Sequence, residues 1–156
     1  ACAAQGMNSI VFDYCARQKI SGLHMTFFLL QQLPVLPPES FGQGEKEFLL
    51  PRLAELNINT YSQLPLSEIL GIGVAEPFAW VNDRRVILHA ELDAFYAHLY
   101  GLSREELRYI LDPADVMGPD YPSETFRVLK NNEIKEFGEY RTQRLVLEAW
   151  DRLFES

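Results

Sequence analysis

Apolar and polar positions along this chain follow helical rather than strand periods. The clearest stretch is Asp83 to Tyr100, where Leu88, Leu92, Phe95 and Leu99 recur at i, i+4, i+7 and i+11 and mark a core stripe. Asn82 is placed as its N-cap and Gly101 as the left-handed residue beyond its end. Ser103 opens the next helix. Glu106 stands three residues on to complete a capping box, and Leu102 and Leu107 are spaced as its hydrophobic staple. Asp112-Pro113 ends that helix, and the following ADVMGPDYP reads as loop. Ser123 is placed to cap a short helix over 124–130, Asn131-Asn132 break the chain, and Glu133 to Phe154 reads as one long final helix.

The first half is less regular. Asn8 to Ile20 predicts a helix with Ile10, Val11, Phe12, Tyr14 and Cys15 nearly all round it, the pattern of an element buried on most faces. Ser21-Gly22 breaks it. Leu23 to Met25 reads as a short strand, after which Thr26 caps a helical turn through Gln32; a continuous strand is the competing reading of the same apolar run. Pro34, Pro37 and Pro38 then force an extended exit from a segment that plunges into the core. Residues 39–44 form a turn, and Glu45 to Leu56 a helix that Pro51 confines towards its second half. Residues 57–80 read as an irregular connection with one helical turn at Ser67 to Leu70. The expectation is a mainly α protein: a bundle-like helical domain over 81–156, an irregular connection over 39–80, and a closing segment over 1–38 with a small α/β remnant.

Composition adds bounds. The 156 residues are one domain's length, and 47% hydrophobic with 23% charged residues suits a chain with a real core. No apolar run approaches the roughly 20 residues that cross a bilayer, so no membrane partner is expected. Cys2 and Cys15 make neither a disulfide framework nor a zinc pattern, which fits a reducing cytoplasm. The opening residues lack an initiator Met and run straight into helical pattern, as expected of a piece of a larger protein.

The net charge of −8 is a poor match for a generic nucleic-acid coat. Its distribution is uneven: residues 1–38 carry Arg17 and Lys19 against Asp13, whereas residues 39–126 carry six cations against fifteen acids. His24, His89 and His98 have no spacing for a metal, and the FGQG and GIG turns lack the preceding strand of a cofactor loop. Glu91 and Asp93 diverge on their helix and read as a solvated face. Two groups of cations remain. Arg17, Lys19 and His24 flank the Gly22 break beside the apolar run, and Arg141 and Arg144 share a face of the final helix. Both groups could touch phosphate, although interleaved glutamates make a salt-bridged surface the stronger reading for the second.

MNSIVFDYCARQKISGLHMTFFLLQQLPVLPP, residues 7–38, resembles the closing stretch of a target-recognition domain in bacterial N6-adenine DNA methyltransferases. ELDAFYAHLYGLSREELRYIL and DYPSETFRVLKNNEIKEFGEYRTQRLVLEAWDRL resemble the helical tail of large restriction–modification methylases. The Pro-Pro-aromatic loop and the S-adenosylmethionine glycine motif of such enzymes have no counterpart here, since the only Pro-Pro stands in Leu36-Pro37-Pro38-Glu39. The resemblance therefore implies a non-catalytic C-terminal part of such an enzyme. It would hold no cofactor of its own, with S-adenosylmethionine belonging to the upstream methylase core, and would meet DNA through the full-length cytoplasmic protein. Arg17, Lys19, His24, Arg141 and Arg144 are the candidate DNA contacts. The alternative is a structural brace or protein–protein interaction module of the same enzyme with no direct DNA contact.

Overall fold

The computed structural model describes residues 1–20 and 24–155. Helices dominate: α1 (Cys2–Gly6), α2 (Ile10–Lys19), α3 (Phe27–Leu30), α4 (Gln43–Asn57), α5 (Pro65–Leu70), α6 (Asn82–Leu99), α7 (Arg104–Leu111), α8 (Pro113–Met117), α9 (Arg127–Phe137) and α10 (Arg141–Phe154). The fold is mainly α. No strand occurs among the described residues, so the expected α/β remnant has no sheet there. The Ser21-Gly22 break and Leu23 lie outside the described residues.

Helix α6 organises the molecule because two of its faces are apolar in different ways. Leu88, Leu92 and Tyr96 face one core, with Cys2 of α1, Phe41, and Leu49, Leu53 and Leu56 of α4. Ala90, Ala94 and Ala97 face another, with Ile10 and Val11 of α2, Leu107 and Leu111 of α7, and Val146, Ala149 and Trp150 of α10. Large residues on the first face fill the space against α4, while the alanines let α10 lie close along the second. The periodic leucine stripe is thus half of the story, and each core draws on residues far apart in the chain. Tyr96 donates its hydroxyl to the Cys2 carbonyl at 2.7 Å and so fastens α1 to α6. Glu91, only 7% exposed, accepts from Arg52 of α4 at 2.8 Å and from Arg152 of α10 at 2.7 Å. It is a buried bridge between three helices rather than part of a solvated face.

Local signals hold where the chemistry is local. The Ser103 hydroxyl accepts from the Glu106 N–H, the Glu106 carboxylate accepts from the Ser103 N–H, and Gly101 is left-handed at φ +77°. Thr26 caps α3 by accepting from the Leu29 N–H. Several expectations are corrected. Asn82 does not cap α6; its side chain accepts instead from the Trp80 indole at 2.8 Å. Pro51 sits inside α4 without ending it, because burial of Leu49, Leu53 and Leu56 on both sides of it outweighs one missing N–H donor. The expected loop after Pro113 begins with a helical turn, α8, for which proline is suited at the first position. Ser123 donates to Asp112 at 2.6 Å rather than capping a helix, Asn131-Asn132 lie within α9, and the final helix is divided at Gly138, left-handed at φ +78°.

The segment leading to the prolines is also corrected. Leu33 is buried, with Leu30 half-buried, against Phe12 and Ala16 of α2. Phe27 and Phe28, however, are 74% and 71% exposed. The run returns to the core at its end and otherwise lies on the surface. None of the helices among the described residues is long and apolar enough to cross a membrane.

Candidate functional site

A cleft of about 840 Å³ lies between α2, α6, the 124–126 segment, α9 and α10. Its floor is Ile10, Ala90 and Val146 of the second core, and its walls carry polar groups from both ends of the chain. Arg17 and Arg141, singled out separately in the sequence, both line it. Lys19 and His24 are exposed and lie outside it, as does Arg144.

Three of the five candidate DNA contacts have internal partners. Arg17 bonds Asp13 at 2.9 Å, donates to the Thr125 carbonyl at 3.3 Å, and approaches the Phe126 ring. Arg144 bonds Glu139 through two nitrogens, at 2.8 and 2.9 Å, and reaches Glu148 at 3.1 Å. The reading of that surface as salt-bridged is therefore the better one for Arg144. Arg141 stacks its guanidinium over the Phe137 ring at 3.8 Å, and its Nε is buried with no hydrogen-bond partner among the described residues. Lys19 and His24 take part in no ion pair or side-chain hydrogen bond among the described residues.

The cleft also gathers residues that sequence reasoning passed over. His89 and Asp93 stand one turn apart on α6 and present the same face. Asp93 accepts from the backbone N–H of Ile10 at 2.8 Å, a donor at the start of α2 that no intrahelical acceptor can serve. Burial pushes the Asp93 carboxyl up to about 7; the Ile10 N–H opposes this and the nearby Asp13 charge adds to it. His89 is held below its ordinary value by burial and then by the Arg85 cation. Glu133 of α9 accepts from the Thr142 N–H at 2.8 Å and from its hydroxyl at 2.7 Å, capping α10 from outside. The i,i+4 spacing of His89 and Asp93 was the available signal, but nothing local placed α2 and α10 opposite them.

The arrangement can bind a polar group, hold or release one proton at Asp93, and enclose an apolar body. Among the described residues no group of three or more His, Cys, Asp and Glu side chains is gathered to hold a metal ion. Neither thiol lines the cleft, and burial raises both Cys2 and Cys15 above their ordinary range. Comparison with protein-family models, with curated proteins and with solved structures returns no match.

Proposed function

We propose that this chain is the non-catalytic C-terminal part of a DNA N6-adenine methyltransferase of the restriction–modification type, and that it serves there as a helical brace for the methylase core. The family assignment rests on the resemblance of residues 7–38, 91–111 and 120–153. The choice of a brace rests on one observation: Arg17 and Arg144, two of the candidate phosphate contacts, are already paired with Asp13 and with Glu139 and Glu148. A phosphate would have to displace those carboxylates, in a chain that is already eight charges negative. S-adenosylmethionine would belong to the methylase core, and none of the residues above is assigned to it.

A second reading, that the segment helps position DNA, is favoured by Lys19 and His24, which stand exposed near the exposed Phe27 and Phe28 in the sequence. Salt titration of DNA binding by the parent enzyme separates the two. For a brace, Arg17→Ala, Arg144→Ala and Lys19→Ala leave both affinity and salt slope unchanged. The double change Phe27→Ser, Phe28→Ser lowers the melting temperature of the parent but not of the 156-residue chain. A salt slope reduced by about one in Lys19→Ala or Arg17→Ala would replace the brace with a phosphate-gripping role.

A further inference from the structure

The cleft between α6, α9 and α10 holds one guanidinium that has no acid beside it among the described residues. Each acid that lines it is engaged: Asp13 by Arg17, Glu124 by Arg127, Glu133 by Thr142, and Asp93 by the Ile10 N–H. Of its three guanidinium groups, Arg17 and Arg127 are paired with those acids. Arg141 is not; it forms no ion pair among the described residues, and its Nε is buried without a partner. A guanidinium has only donors to offer, so whatever completes it must bring acceptor oxygens. Its plane is already set by Phe137, whose ring lies 3.8 Å from the guanidinium carbon, which lowers the ordering cost of receiving a planar group.

Two further features agree in sign. The first turn of the eleven-residue α9 has no side-chain cap, and Arg127, Val128 and Leu129 of that turn line the same cleft. Uncapped N–H groups at a helix start favour negative charge. Next to this polar end Val86 and Leu145 present apolar surface, backed by the buried Ala90 and Val146. The volume, about 840 Å³, lies in the range of small-molecule sites. Helix α9 buries none of its residues, and it is tied to the rest through polar contacts such as Lys130 to Asp112 and Glu133 to Thr142.

We propose that this cleft binds a small organic carboxylate, with the terminal nitrogens of Arg141 receiving the carboxylate oxygens and Val86 and Leu145, over the buried Ala90 and Val146, receiving an apolar body. This site is independent of the methyltransferase reading. A bare inorganic anion would leave that apolar surface unused, and a neutral amide would forgo the charge-assisted pair with Arg141.

The test uses the 156-residue chain labelled with nitrogen-15, observed through its arginine Nε–Hε resonances, with Arg141→Lys to assign the Arg141 signal. Benzoate, its neutral isostere benzamide, and inorganic phosphate are titrated separately. Benzoate is expected to shift the Arg141 signal saturably with a Kd of about 1 mM or tighter. Benzamide is expected to bind at least about tenfold more weakly, since the charge-assisted bond is lost. Phosphate is expected to be weaker than benzoate, and the Arg144 signal to stay still. An Arg141 signal that benzoate does not move, benzamide equal to benzoate, or phosphate as tight as benzoate would each overturn the proposal. Triple-resonance assignment of the unaltered chain identifies the Arg141 signal as well, so the comparison of three probes holds whether or not the variant folds.

Discussion

Asp93 and Ile10 stand 83 positions apart, yet the Asp93 carboxylate accepts the Ile10 backbone N–H at 2.8 Å and joins the start of α2 to the middle of α6. The bond comes with a titration. Burial raises the folded carboxyl to about 7, above its ordinary value of 3.8, so the folded protein holds a proton there that the unfolded chain releases. A raised folded value means that the stability contributed by this group is fully present below about pH 4 and is lost as pH rises through about 7. Asp93→Asn keeps an acceptor for Ile10 but cannot ionise. Urea melts should therefore show the variant gaining on the wild type between pH 5 and pH 8, on the order of 2 kcal/mol after allowance for solvent screening at the open side of the cleft. A difference that does not change with pH would show that Asp93 titrates normally.

The two arginine–carboxylate networks should differ sharply in worth. Glu91→Gln leaves Arg52 and Arg152 facing a neutral amide at a buried position, and should cost about 2–3 kcal/mol, short of a fully buried pair because Arg152 is itself exposed. Arg144→Ala removes contacts to exposed Glu139 and Glu148 and should change stability by no more than about 1 kcal/mol. Equal losses in denaturant melts would contradict this ranking.

Core and cap can be measured on neighbouring elements. Leu92→Ala empties a site that is 2% exposed between α6 and α4 and should cost roughly 2–5 kcal/mol. Ser103→Ala removes the cap of α7 and should cost about 1 kcal/mol. A neutral Leu92→Ala would mean that the stripe faces solvent.

Gly138 separates α9 from α10 in the left-handed region, and no atom lies within 4 Å of the position a Cβ would take. Only backbone strain opposes a side chain there. Gly138→Ala should cost about 1–2 kcal/mol and Gly138→Asn less, read from thermal melts. If alanine is free of cost, the two helices can merge into one, as the apolar pattern alone implied.

What the sequence determined by itself is what neighbours within a few residues decide. The Ser103–Glu106 box, the left-handed Gly101, the Thr26 cap and the leucine stripe of α6 need no distant partner, because caps and turns are satisfied by atoms three or four residues away. The helical class follows from the same periodicity. Tertiary structure alone decided which polar residues have partners. Glu91 and Asp93 look alike in sequence, two positions apart on one helix. Glu91 meets Arg52 and Arg152, while Asp93 meets a backbone N–H at the edge of a cleft. Arg141 and Arg144 likewise share a turn, yet one is pinned by carboxylates and the other stacks on Phe137 with its Nε buried. Packing also overrode local signals at Pro51 and Asn131-Asn132, which lie within helices, and at Phe27-Phe28, which stay on the surface. The physical reason is common to all: a charge or an aromatic ring takes its meaning from the chain segment that folds against it, and that segment is set by how α2, α4 and α10 pack around α6.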